Sequence, residues 1–363
     1  MQPASAMSAR SWRAEWARWV AACTLSMVLI ELTVRALLSV PEVRRPLVHA
    51  VGPRSSELGW LYIPAEDAPP LQWDAERGWA NRPGQRVEWG YLVSVDPSGV
   101  RAPAPPRARA ADERRVAVLG DSFAFGSDMA DDRIFPHLFD RQEGVDVVNL
   151  GVPGYEYGQM LLTHRLVADA WDPTHVLICL NDVLVDRTVT DFFLYVRPMI
   201  PAERGLFTPT NTPVPSPDVL RASWAWRSRA WALLEASRWQ VQRATSSHRR
   251  WAETRSEALL RQLIVEVQQA GRVPWLVYLP LAQELGASDE IWATKVELGW
   301  MRVLCADPGV WCTPELAEDF RAAHRDGVVL GHGAHWSEPG HRLVAEALER
   351  TWQHRAGAVG ASP

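Results

Sequence analysis

The chain has 363 residues, 47% of them hydrophobic, and a formal net charge of −5. This length fits one large domain with appendages, and the apolar share is ample for a core. The acidic balance excludes a general nucleic-acid binder. Arginine replaces lysine almost everywhere (Lys295 stands alone), which reads as genome composition. The 19 tryptophans read first as packing residues.

The N-terminal segment comes first. Arg10, Arg13 and Arg18 precede a charge-free run from Trp19 to Ile30. Glu31 and Arg35 stand four apart and can pair on one helix face. With that pair, Arg18 to Val40 reaches the ~20 residues that span a bilayer, since charges near one end can pair or snorkel. The expectation is a short tail (1–15) and an uncleaved signal anchor, a transmembrane helix, over 16–40. A cleaved signal peptide and a surface-lying amphipathic helix are the alternatives. Arg44, Arg45 and Arg54 on the far flank leave orientation undecided by charge.

Residues 41–113 are rich in Pro, Gly, Arg and Ala and read as a linker and lead-in. Arg101-Ala-Pro-Ala-Pro-Pro-Arg107 is expected to be extended, and Trp73–Val95 to add a small strand pair. Strand and helix then alternate. Strands are expected at Arg115–Leu119, Val145–Leu150, His175–Leu180, Val273–Leu279 and, shorter, Val310–Cys312. Helices are expected around Arg133–Gln142, Gln159–Ala170 and Glu257–Ala270, the last with Leu259, Leu260, Leu263, Ile264 and Val267 on one face. Ser337, followed by Glu338-Pro339, is the expected cap of a final helix. Such alternation implies an α/β fold, a parallel sheet with helices on both faces. An insertion over 183–251 has a Pro-rich first half and a Trp-rich helical second half; it follows the third strand and could overhang its end. Cys305 and Cys312 could close a short disulfide loop in an oxidising compartment or stay separate.

Several strand ends carry chemistry. Val116-Ala-Val-Leu-Gly-Asp-Ser122 is an apolar strand stopping at small polar residues. Val147-Val-Asn-Leu-Gly-Val-Pro-Gly154 closes in a Gly/Pro turn, and Val176-Leu-Ile-Cys-Leu-Asn-Asp182 ends in Asn-Asp. His335-Trp336-Ser337 precedes the last helix. These blocks offer a hydroxyl, a glycine N–H, an amide and an imidazole at one sheet edge, where open α/β folds place ligands. Acyl transfer needs that set: a base to take the hydroxyl proton and N–H donors for the developing oxyanion.

Together the blocks resemble the SGNH hydrolase family, also called GDSL esterases/lipases. Asp96-Pro-Ser-Gly-Val-Arg101 resembles a lead-in of its membrane-anchored bacterial members. The resemblance implies a flavodoxin-like three-layer sandwich of about five parallel strands over 114–355, followed by a tail at 356–363. It implies Ser122 as nucleophile and His335 as general base. It implies an oxyanion hole of the Ser122 N–H, the Gly154 N–H and the Asn181 amide, and no metal or organic cofactor. Family members place an aspartate two or three residues before the histidine; here those positions are His332 and Gly333. The third member therefore stays open between Asp326, His332 as a supporting partner, and a dyad held by a backbone carbonyl. Asp121 and Asp182 are read as turn-fixing residues, Asp128, Asp131 and Asp132 as a solvated loop, and His341 as a packing residue.

The function implied is a serine ester hydrolase acting on an acyl or acetyl ester, with a carbohydrate ester among the candidates. Its substrate partner is a small-molecule or glycan ester, with the membrane engaged through the N-terminal helix. The catalytic domain is expected outside the cytoplasm, in the periplasm, tethered to a bacterial inner membrane. An O-acyltransferase on an exported glycan and a non-catalytic binding protein on a hydrolase scaffold are the alternatives.

Overall fold

A computed structural model describes residues 9–43, 70–88, 90–101, 108–110, 113–142, 144–193, 195–224, 227–332 and 335–360. The expected extended linker at 102–107 lies outside the described residues. The chain starts with α1 (Ala9–Ser39), then two antiparallel hairpins: β1 (Leu71–Asp74) with β2 (Gly78–Asn81), and β3 (Gly84–Glu88) with β4 (Tyr91–Val95). One strand pair was expected here; two form.

The core follows as β5 (Arg114–Leu119), α2 (Ser122–Phe125), α3 (Phe135–Asp140), β6 (Val145–Asn149), α4 (Tyr157–Leu166), β7 (His175–Leu180) and α5 (Val183–Thr188). The insertion adds α6 (Pro217–Trp224) and α7 (Arg229–Arg243) and runs into α8 (Ser246–Gln269). The chain closes with β8 (Val273–Tyr278), α9 (Asp289–Ala293), α10 (Val296–Leu304), β9 (Trp311–Thr313), α11 (Leu316–Arg325), β10 (Gly331–His332), β11 (His335–Trp336) and α12 (Glu338–Gly360).

Five strands form one parallel sheet in the order β6-β5-β7-β8-β9. Counted within the sheet this is 2-1-3-4-5, the flavodoxin-like order, so the α/β three-layer expectation holds. The reason lies in the strand sequences. Val116–Leu119 and Val176–Leu180 are buried without alternation, which demands cover on both faces. Helices α4, α5 and α8 pack together on the sheet, and α3, α11 and α12 form a second group. The α8 stripe Leu259, Leu260, Leu263, Ile264 and Val267 is buried as its spacing required. Cys305 and Cys312 are joined in a disulfide from the end of α10 to β9. Ser337 stands directly before α12 as expected, its carbonyl accepting from the His341 N–H, while its hydroxyl donates to the Val329 carbonyl.

Phe139, Trp275, Trp311, Trp352 and His175 form one aromatic cluster over β7–β9. Burial pushes His175 down to about 4, and burial pushes His341 down to about 3. Both rings are neutral in the native state, whereas the unfolded chain protonates them below the ordinary value of 6.5. Their contribution is therefore complete above pH 6.5 and drains as pH falls toward 4. Thermal melts from pH 7 to pH 4 should show Tm falling through that window. The slope should be shallower in His175→Phe, which takes up no proton.

Candidate active site

Ser122 is the first residue of α2, directly after β5. Asp121 caps that short helix, accepting from the Phe123 N–H at 3.0 Å. Gly120 permits the tight exit: a Cβ there would sit 2.5 Å from the Ala124 Cβ and 2.9 Å from the Cys179 Cβ. The turn thus presents Ser122 at the C-terminal edge of the sheet, beside the end of β7.

His335 arrives from the far end of the chain. It lies on β11, which pairs with β10 so that His332 and His335 are backbone partners. The next residue fixes the strand: Trp336 is fully buried, donates its indole N–H to the Pro280 carbonyl at 2.9 Å, and packs on Phe123 and Phe320. The His335 Nε2 is 2.9 Å from the Ser122 Oγ.

The Asp128 Oδ2 is 2.6 Å from the other ring nitrogen, Nδ1. A carboxylate at Nδ1 holds a proton there and leaves the Nε2 lone pair facing the hydroxyl. Ser122, His335 and Asp128 thus form a continuous relay. Asp326 is exposed at the end of α11, and the Nδ1 position for which it was one candidate is taken by Asp128. His332 meets His335 through the strand pairing.

Asp128 was expected in a solvated loop, and that expectation fails for a physical reason. Its backbone is left-handed (φ 64°), a conformation aspartate tolerates better than most residues. The loop is held in place by Arg101, the last residue of the lead-in motif. Arg101 is buried; its Nε donates to Asp131 at 3.0 Å, and its other nitrogens donate to the carbonyls of Phe125, Gly126 and Met129. Asp131 is thereby buried as well. Upstream, Asp96 accepts from the N–H groups of Ser98 and Val100, folding the turn that aims Arg101.

The expected oxyanion groups converge on the same edge. Gly154 has φ +84°, and the Phe193 ring lies 2.6 Å from where its Cβ would be, so only glycine fits. Among the described residues, the Ser122 and Gly154 N–H groups have no protein acceptor. Asn181 is fully buried; its Oδ1 accepts from the Val183 N–H, and its Nδ2 donates to the Asp121 Oδ1 at 3.2 Å. That leaves one amide hydrogen uncommitted. The Asp121 Oδ2 takes Arg187 Nη1 at 2.6 Å, and the same nitrogen reaches the Tyr155 carbonyl at 3.3 Å. Asp121 is therefore more than a turn residue: it links the Ser122 turn, the Asn181 amide and the glycine loop. Asp182 also exceeds its expected role, pairing with Lys295 and accepting from the Tyr278 hydroxyl.

No protein-family model and no curated protein matches this chain. Solved structures do resemble it. A member of the lipolytic protein G-D-S-L family from Veillonella parvula DSM 2008 is 15% identical, covering 66% of this chain and 98% of its own, with a TM-score of 0.41. A catalytic mutant of Axe2, an acetylxylan esterase from Geobacillus stearothermophilus, is 15% identical over 67% of this chain and 96% of its own, with a TM-score of 0.40. LAE5, an α/β hydrolase from the metagenome of Lake Arreo, is 13% identical over 67% and 96%, with a TM-score of 0.42. Likeness at this level carries no functional argument by itself. The five-stranded sheet and the order of blocks along it agree with the expected SGNH hydrolase fold.

Two outcomes test the geometry. Asp128→Asn should lower kcat for p-nitrophenyl acetate by about 10⁴-fold, the cost of losing a serine-triad acid, while Asp326→Asn stays near wild type. Arg101→Met leaves Asp131 buried and unpaired, so urea denaturation should show a loss of about 3–5 kcal/mol.

Proposed function

We propose that the chain is a serine ester hydrolase of the SGNH type, working through an acyl-Ser122 intermediate. The observation that carries this reading is the unbroken Asp128–His335–Ser122 relay. In it the Ser122 Oγ attacks the ester carbonyl as the His335 Nε2 takes its proton, and Asp128 stabilises the imidazolium. The N–H groups of Ser122 and Gly154 and the Asn181 amide receive the oxyanion. Collapse breaks the ester C–O bond, and His335 returns its proton to the departing alcohol. Water, deprotonated by His335, then releases the acid and restores Ser122. Residues 114–355 are taken as the catalytic unit.

The acyl group is read as short, because Phe193 from the insertion lies against Gly154 and walls the oxyanion side. The alcohol half is proposed to be a carbohydrate. The Cys305–Cys312 disulfide supports a compartment outside the cytoplasm. Within α1, Glu15–Ser39 is long and apolar enough to cross a bilayer, and its apolar stretch from Val20 to Ile30 is exposed; we take it as the anchor. The intact relay weighs against a non-catalytic scaffold. Hydrolysis and transfer share every group of this site and differ in whether water or a glycan hydroxyl meets the acyl-enzyme.

Turnover of p-nitrophenyl acetate should exceed that of the butyrate ester. Ser122→Ala and His335→Ala should each lose about 10⁴-fold or more, and a fluorophosphonate probe should label Ser122. Phe193→Ala should raise the butyrate-to-acetate ratio. A folded wild-type chain that neither turns over acetate nor takes the probe overturns the hydrolase reading; a rate that rises with added glycan acceptor identifies the transferase.

A further inference from the structure

The last turns of α1 are unlike the rest. From Val20 to Ile30 the helix is exposed, whereas Glu31, Val34, Arg35 and Leu38, a stripe at helical spacing, are covered or partly covered. Their neighbour is the insertion helix α7. The Glu31 carboxylate sits on the open N-terminus of α7. It accepts from the Arg229 N–H at 2.8 Å, the Ala230 N–H at 3.0 Å and the Ser228 hydroxyl at 2.7 Å. Arg35 completes the joint, donating to Glu31 at 2.6 Å and to the Arg227 carbonyl at 2.9 Å. A carboxylate at a helix N-terminus satisfies otherwise orphaned N–H groups and meets the positive end of the dipole.

This joint fixes where α7 starts. Glu31 lies inside the apolar span Glu15–Ser39, eight residues before its end, or about 12 Å along the helix. A bilayer around α1 therefore reaches the level of the first turns of α7. Those turns turn small residues inward, Ala232 and Ala236, and large apolar ones outward: Trp231 is 59% exposed and Leu234 57%. Val241 continues the stripe, and Arg238 is exposed beside it. At its other end α7 is tied to the core by an ion pair from Arg243 to Asp186 of α5, the helix that follows Asn181.

Resting on the reading of α1 as an anchor, we propose that Trp231 and Leu234 on α7 form a second membrane contact, lodged in the phospholipid headgroup–acyl boundary beside α1. The occupant is lipid because the helix that carries this exposed face packs on α1, and its N-terminal N–H groups are hydrogen-bonded to Glu31 within the span. Trp at the boundary, with Arg beside it for lipid phosphates, is the chemistry that bilayer interfaces favour. The insertion then works as a strut, holding the catalytic edge at a set height over the membrane.

The test uses the full chain in phosphatidylcholine/phosphatidylglycerol vesicles with brominated acyl chains. Bimane is placed on native Cys23, or, in a Cys23→Ser background, on Leu234→Cys or Val303→Cys. Cys179 is buried and the other two cysteines are bonded; Val303, on α10, is 62% exposed. Unchanged p-nitrophenyl acetate turnover certifies that each labelled chain is folded. Labels at positions 23 and 234 should both lose fluorescence to the brominated chains, with no loss at 303. Quenching at 23 but not at 234 overturns the second contact and assigns that face to a partner protein or a second copy. An unquenched label at 23 overturns the anchor reading, and the proposal with it.

Discussion

A guanidinium buried beneath the loop that follows Ser122 sets the geometry of the candidate site. Arg101 donates to three carbonyls and a carboxylate between Phe125 and Asp131. A loop of small and acidic residues has no apolar reason to fold back on a sheet edge. Those hydrogen bonds give it one, because a buried charge is tolerated only when its donors are satisfied. The left-handed turn at Asp128 follows, and with it the carboxylate that reaches His335. The lead-in segment, outside the five-stranded sheet, is thus a structural part of the candidate site.

Asp121 plays the matching role on the other side of Ser122. One carboxylate caps α2, holds the Asn181 amide and pairs with Arg187, which in turn reaches the Gly154–Tyr155 loop. Three strand ends are tied through one fully buried side chain. In a low-dielectric setting such links are stiff, which is what oxyanion donors need if they are to be aimed before the charge develops. Appended segments close over this frame: Trp79 of β2 packs on Tyr155 and Phe193, and its indole N–H donates to the Pro153 carbonyl at 2.9 Å.

The sheet was legible in the sequence because its first three strands, β5, β6 and β7, are runs rich in Val, Leu and Ile that end in Gly, Asn and Asp. The positions of Ser122, Gly154 and Asn181 at its edge were legible for the same reason, since each follows such a run, whereas His335 was read from its place just before the last helix. The α8 stripe was legible from its spacing. The short 3₁₀ turn and helix at Asp131–Asp140, in place of one helix over Arg133–Gln142, were not: the Arg101 network and the burial of Ile134 and Phe135 decided them.

Asp128 was not legible as a site residue. It lies 207 residues from His335 in the chain, in an acidic run that composition assigns to solvent, and the family resemblance directed attention to the residues before the histidine. The pairing of Glu31 with Arg35 was read from spacing, yet its use as a cap for α7 required two segments almost 200 residues apart to meet. The sequence by itself determined the layers, the strand ends and the chemistry offered there, because periodicity and turn residues act locally. Tertiary structure alone chose which carboxylate serves the imidazole and which helix the N-terminal segment supports. Hydrogen bonds between distant segments depend on where the packed core places their ends, and no local pattern encodes that.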